Sequence, residues 1–232
     1  MPAAELAIYD LDRTITRSGT YTPFLIFWAR RHAPWRLLLA PLAILCMAAY
    51  AAKRISRKRL KECMQFLLMG PRTDPARLAQ TVDAFAERLV QRGVYPQARE
   101  AIAADRAAGR RIVIATAAHE FYVAAIAREL GVADVVATRS VMDEAGRLTV
   151  RIEGENCYGE AKLAMMQAFL EKAGIDRGRV RVRFYSDHAS DMPVFDWADE
   201  QFAANPSARL RAVAEKRGWP VLDWRAQIGQ MR

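Results

Sequence analysis

The sequence predicts an α/β protein, with a doubly wound parallel sheet and an all-helical segment inserted after the first strand. Two observations about pattern predict it. Short apolar runs at 6–9, 111–115, 135–138 and 180–185 are separated by helical patterns at 98–108, 120–130 and 160–172, a rhythm that builds a parallel sheet covered on both faces. Residues from about 21 to 92 carry helical signals and no strand signal. A third observation places polar residues: acidic clusters follow the first and the fourth of the apolar runs directly.

Taken in order, Leu6, Ala7, Ile8 and Tyr9 form the first strand, which runs into Asp10 to Thr14. The helical insert breaks at Ala33-Pro34 and at Gly70-Pro71, and Thr73 or Asp74 can cap a helix that begins near Pro75. Gly109, Gly131 and Gly174 stop three later helices. The turn Asp143-Glu144-Ala145-Gly146 joins two alternating segments as a hairpin. A last short strand is expected at 201–204, followed by a helix after Asn205-Pro206. The expected division is a Rossmann-like α/β core from residues 1–16 and 95–232, with residues 17–94 as the helical insert.

The 232 residues are enough for one core domain and a small insert. Net charge is +9, and no Asp or Glu occurs from Arg13 through Lys61. That stretch holds eleven of the cations, so the remainder is slightly acidic. Three cysteines without a CxxC pair argue against a disulfide framework and a cysteine zinc site. With no signal-peptide pattern at the start, a cytoplasmic location is expected. An uncharged run at 37–52, interrupted by Pro41, would extend ~24 Å as a helix, short of a ~30 Å hydrocarbon core.

Ligands of open parallel sheets sit beyond the carboxyl ends of the strands. There the sequence places Asp10 and Asp12, Thr116, and Asp187 with Asp191, while Lys162 falls early in the helix after Gly159. Clustered carboxylates need a cation to stay ionised together, and an all-oxygen donor set selects Mg2+. Metal, Lys162 and the Thr116 hydroxyl would neutralise a phosphate ester. Asp10 can then attack phosphorus, and Asp12 can protonate the leaving oxygen and later deprotonate water.

These residues carry a family resemblance. Asp10-Leu11-Asp12-Arg13-Thr14, then Thr116, then Lys162, then Ser186-Asp187-His188-Ala189-Ser190-Asp191 resembles the four-motif pattern of the haloacid dehalogenase superfamily. The spacing is similar to its phosphoserine-phosphatase-like branch, in which a helical cap follows the first motif. The resemblance implies that Asp10 is the nucleophile and Asp12 the general acid and base. It also implies phosphate binding by Thr116 and Lys162, and a magnesium site from Asp10, the Asp12 carbonyl and Asp187 with Asp191 in support. Arg13 stands where many members have glycine, and Ser190 where many have asparagine. His119 and His188 border the rim and are given no catalytic role.

The insert has two readings: an ordinary cap with a buried apolar helix, or a lipid-facing lid whose cations from Arg30 to Lys61 meet an anionic membrane surface. The second would place the protein peripherally at the inner face of the membrane. Phosphoserine phosphatases of this branch carry a cap glutamate for the substrate ammonium, and this acid-free stretch has none, so phosphoserine is disfavoured. The layout from Phe24 through Arg31 and Pro34 loosely resembles the phosphatidylglycerophosphatase C type. The expected activity is a phosphomonoester phosphatase acting through an aspartyl-phosphate, on an anionic or lipid head-group phosphate such as phosphatidylglycerophosphate. Two alternatives stand beside it: a phosphatase of a small soluble metabolite, and a phosphorylation-dependent signalling module without turnover. Nucleic acid is not expected as a partner, because the cations are not interleaved with stacking aromatics. The sequence does not specify an oligomeric state.

Overall fold

A computed structural model describes residues 4–225 of the chain. Six parallel strands form the central sheet in the order β4-β3-β1-β7-β8-β9. They are β1 (Ala4–Tyr9), β3 (Arg111–His119), β4 (Asp134–Thr138), β7 (Val180–Ser186), β8 (Glu200–Ala204) and β9 (Val221–Leu222). From β1 the chain builds outward to β3 and β4, then returns to add β7, β8 and β9 on the other side. This reversal opens a crevice beside the carboxyl end of β1, where ligands of such sheets bind.

Strand periodicity explains why both faces are covered. In β1, Leu6 and Ile8 point into one apolar cluster while Ala7 and Tyr9 point into the other. In β3, Val113 and Ala115 share the first cluster while Ile112 and Ile114 join the second. The first face is packed by α7 (Glu160–Lys172), α8 (Met192–Trp197) and α9 (Ala208–Arg217) through Met166, Phe195 and Leu210. The second is packed by α5 (Pro96–Ala107) and α6 (Glu120–Glu129) through Ile102, Tyr122 and Ile126. Trp224 is buried in the second cluster, and Trp197 and Trp219 pack against the first.

The insert supplies α1 (Tyr21–His32), a tight 3-10 stretch (Pro34–Leu39), α2 (Ala40–Ala51), α3 (Arg57–Met69) and α4 (Pro75–Gly93). Asp74 caps α4 by accepting from Arg77 N at 3.0 Å, with Pro75 in the first turn. Ser56 caps α3 in the same way. Phe24, Trp28, Met64 and Phe85 belong to the same apolar cluster as Tyr9 and Tyr122, so the insert is welded to one face of the sheet. Two short extended segments join it to the sheet-bearing part, where Thr16 and Val94 form an antiparallel bridge.

The structure differs from the sequence reading in three places. Within the insert lies a strand, β2 (Arg72–Thr73), which pairs with β6 (Leu148–Ile152) of the hairpin that β6 makes with β5 (Ser140–Met142). Two residues bear no periodicity, so only the partner edge creates this strand. The strand at 200–204 is followed by β9, equally short. Finally, of the two readings of the apolar helix the buried one does not hold: Ala43 is the one buried residue of α2. Pro34–Ala51 is long and apolar enough to cross a membrane by length and composition, with mean hydropathy 1.5 and 6% of the stretch buried.

Candidate active site

Strand geometry delivers the acidic residues to one rim. Asp10 directly follows β1, and its backbone N–H is fixed by a 2.9 Å hydrogen bond to the Tyr185 carbonyl of β7. Asp187 directly follows β7 itself. The segment after Asp10 turns sharply, with Arg13 at φ 64°. That left-handed conformation costs a side-chain-bearing residue about 1 kcal/mol, which is a physical reason for glycine at this position in related chains. Asn205 offsets the cost by donating from Nδ2 to the carbonyls of Arg13 and Thr14.

Asp10, Asp12, Thr116, Lys162, Asp187 and Asp191 all line one cavity of about 270 Å³. Lys162 is 2% exposed and bridges two of them: its Nζ donates to Asp10 Oδ1 at 2.9 Å and to Asp191 Oδ2 at 2.7 Å. Thr14 donates from Oγ1 to the other oxygen of Asp10 at 3.2 Å. Gly159 precedes α7 at φ 59°, a backbone state that favours glycine and lets the helix carrying Lys162 start here. Thr116 is buried on β3, where its Oγ1 accepts from Ala118 N at 3.1 Å.

Asp12 points toward the insert. Its Oδ1 accepts from Thr20 N at 2.9 Å and from Thr20 Oγ1 at 2.8 Å, which ties the motif to the start of α1. Asp191 sits where it could cap α8, and its side chain makes no capping bond. The carboxylate turns instead to Lys162 and to Ser186 Oγ, which donates to it at 2.7 Å.

Charge in this cavity is unbalanced. Burial pushes the Asp10 carboxyl up to about 8, with Lys162 opposing and Asp191 and Asp187 adding to the rise. Burial and the neighbouring Asp191 push Asp187 up to about 7. Burial raises Asp12 too, against the hydrogen bonds from Thr20. Burial alone would lower Lys162, and the adjacent Asp10 and Asp191 carboxylates instead hold it above the usual lysine range. Asp191 Oδ1 is buried with no hydrogen-bond partner. Four carboxylates thus surround the buried Lys162 ammonium on this lining, with an acceptor to spare, and their donor atoms are all oxygen. That is the chemistry of a hard cation site. Among the described residues no three His, Cys, Asp or Glu side chains enclose a metal by themselves. Magnesium does not require it, because water and substrate phosphate complete its shell.

Several cavity residues carried no legible sequence signal. Arg57, at the start of α3, stacks its guanidinium carbon 3.9 Å from the Tyr158 ring centroid. Among the described residues it makes no ion pair, and both side chains line the cavity. Lys61, one turn further along α3, is buried and donates to the Ala117 carbonyl and to Asn156 Oδ1, each at 2.5 Å. Burial and Arg57 bring its ammonium down to about 8. His188 lines the rim, while His119 is buried beside Ser140, and burial holds its ring well below the usual histidine range.

A parallel sheet with paired acids at its switch point defines a class of α/β hydrolases. The chain belongs to the haloacid dehalogenase-like hydrolase family, whose model matches residues 7–196. Within that family it is a phosphatase. It is 29% identical over 224 residues to a probable phosphatase of Mycobacterium tuberculosis, covering 96% of this chain and 76% of that protein. A solved structure of a Bordetella pertussis protein of unknown function is 30% identical, with a TM-score of 0.87 over 96% of this chain and 99% of that one. A phosphoserine phosphatase, solved as a phospho-aspartyl intermediate analogue, shares the fold with a TM-score of 0.60 at 17% identity. That match covers 96% of this chain and 94% of the other.

Proposed function

We propose that this phosphatase is magnesium-dependent and works through a phosphoryl group carried on Asp10. The observation that carries the reading is the position of Asp10 on the cavity lining, with Lys162 on one carboxylate oxygen and Thr14 on the other. An Asp10 oxygen forms a bond to phosphorus as the ester P–O bond breaks. The leaving oxygen takes its proton from Asp12, whose raised pKa favours the protonated form that a general acid needs. Asp12, now ionised, takes a proton from water, whose oxygen displaces Asp10 from phosphorus and releases phosphate. Thr116 and Lys162 bind the phosphoryl oxygens throughout. Asp10, the Asp12 carbonyl and Asp187 would hold magnesium, with Asp191 beside them; when bound, it supplies positive charge to the phosphoryl group.

We further infer a substrate with a second anionic group, of the lipid head-group class. The guanidinium of Arg57, which among the described residues has no carboxylate partner and only a 3.4 Å hydrogen bond to Tyr50 Oη, and the side chain of Arg13 line the same cavity and suit an anion beyond the reacting phosphate. Exposed Trp35, Leu38, Ile44 and Leu45 lie upstream of Lys53, Arg54 and Arg57, a combination that suits an anionic membrane surface. The small size of the cavity favours a second reading, a compact soluble ester.

Rapid-quench mass spectrometry after borohydride treatment tests the chemistry, since reduction of an acyl-phosphate marks its residue. Modification at Asp10 during turnover is expected, and a phosphorylated residue elsewhere would contradict the reading. Flotation with phosphatidylglycerol vesicles separates the two substrate readings: binding supports the lipid class, and none at physiological salt favours the soluble ester.

A further inference from the structure

A second cavity, of about 680 Å³, lies on the insert, and the phosphatase chemistry does not use it. Helix α1 contributes Pro23, Ile26, Phe27, Arg30 and Arg31 to its lining. Helix α4 contributes Phe85, Arg88, Leu89, Arg92 and Gly93. Each set follows the i, i+3, i+4, i+7, i+8 spacing of a single helix stripe. Two such stripes ordinarily interdigitate across a helix–helix contact. Here both carry arginines in their last turns, and the helices leave an open cleft between them.

The two helices run antiparallel along the cleft. At one end His32 Nε2 lies 2.7 Å from Thr81 Oγ1, and at the other Arg17 N donates to the Gly93 carbonyl at 2.7 Å. Arg30 and Arg31 therefore stand at one end and Arg92 at the other, separated by nearly three helical turns or ~15 Å. Arg88 lies between. Among the described residues none of these four arginine side chains makes a hydrogen bond or an ion pair. Among the described residues no acid lines the cleft. The acids nearest in sequence on α4 are engaged elsewhere: Asp83 accepts from Arg128, and Glu87 from Gln91. The floor is apolar, with the Phe27 and Phe85 rings 5.6 Å apart.

We propose that this cleft binds a small organic polyanion, with phosphate groups that reach the arginines at its ends and an apolar or aromatic body over Phe27 and Leu89. Guanidiniums pair with phosphate oxygens in two-point contacts, and phenyl rings accept a flat body by stacking. A ligand here would sit against Pro23 and Gly93, each close in sequence to a segment that connects the insert to the rest. Gly93 adjoins the Thr16–Val94 bridge, and α1 begins beside Thr20, which holds Asp12.

Calorimetric titration with the non-hydrolysable nucleotide AMP-PNP, in magnesium buffer with saturating orthovanadate in the catalytic cavity, tests the site. Saturable binding is expected. Its Kd should rise about tenfold or more in R88A/R92A and in R30A/R31A, equivalent to the loss of ~1.4 kcal/mol. Hydrolysis of p-nitrophenyl phosphate by both variants should stay within about twofold of the parent, which shows that they fold. Tripolyphosphate, which has the charge without the body, should bind at least about tenfold more weakly. The proposal is overturned if orthovanadate displaces AMP-PNP, if the arginine variants bind it as the parent does, or if tripolyphosphate binds equally well.

Discussion

Lys162 Nζ lies 2.7 Å from Asp191 Oδ2, and both side chains are almost completely buried. An ammonium in that position would be expelled or deprotonated without a fixed counter-charge. Asp191 supplies one beside Asp10, which in the proposed mechanism also has to react. Ser186 holds the same Asp191 oxygen, so the lysine is aimed by two residues of the final motif.

Replacing either partner of this pair should therefore act on both stability and activity. Lys162→Met leaves two buried carboxylates facing each other, and a loss of about 3–5 kcal/mol is expected in EDTA. Asp191→Asn keeps an acceptor for Lys162 and should cost less than half as much in urea denaturation. Both variants should lose p-nitrophenyl phosphate hydrolysis, Lys162→Met by the larger factor.

Asp187 gives a pH prediction with a definite sign. Its folded pKa, about 7, lies above the ordinary carboxylate value of 3.8. In that window the folded state holds a proton that the unfolded state has released. Its contribution is fully present below pH ~4 and is lost as pH rises through about 7. In EDTA the Tm should fall between pH 5 and 8, and Asp187→Asn should flatten that slope. Added magnesium should raise the Tm of the parent at pH 8 and do little for the variant.

Arg57 should govern substrate choice more than turnover chemistry. Arg57→Ala is expected to raise KM for a phosphate ester bearing a second anionic group by about tenfold, equivalent to ~1.4 kcal/mol. The kcat for p-nitrophenyl phosphate should change little. Parallel Michaelis–Menten series on the two substrates check this, and equal effects on both would remove Arg57 from specificity.

Lys61 joins α3 to the strand that carries Thr116 by donating to the Ala117 carbonyl. Because burial and Arg57 lower its pKa to about 8 from 10.5, the folded state holds fewer protons than the unfolded one between these values. The cost of burying this ammonium should thus shrink as pH rises through that window. Lys61→Met should lower kcat by loosening Thr116, and its stability relative to the parent should be most favourable near pH 7 and decline toward pH 10. Thermal melts at several pH values measure that trend.

The parallel sheet and its acidic rim were legible because strand ends are written locally, as apolar runs that stop at Asp10 and Asp187. Lys162 was found by order along the chain, through the family resemblance. Its anchoring by Asp191 was not legible, since Asp191 also occupies a helix start, where an aspartate reads as a cap. Arg57 and Tyr158 are about one hundred residues apart and meet only when the insert folds over the rim. The two-residue strands β2 and β9 are too short for periodicity to register and exist through their partners. The choice between a buried and an exposed α2 stayed open for a different reason: an apolar run reports hydrophobicity alone, and a buried core helix and an unpartnered one share that signal.

The role of Asp10 as nucleophile is tested most directly by steady-state phosphate release from p-nitrophenyl phosphate with magnesium, comparing the parent with Asp10→Asn. The account predicts that the variant falls at least about a thousandfold, ~4 kcal/mol in the barrier, while its thermal transition stays level or rises. Turnover by a folded Asp10→Asn variant within about tenfold of the parent would contradict it.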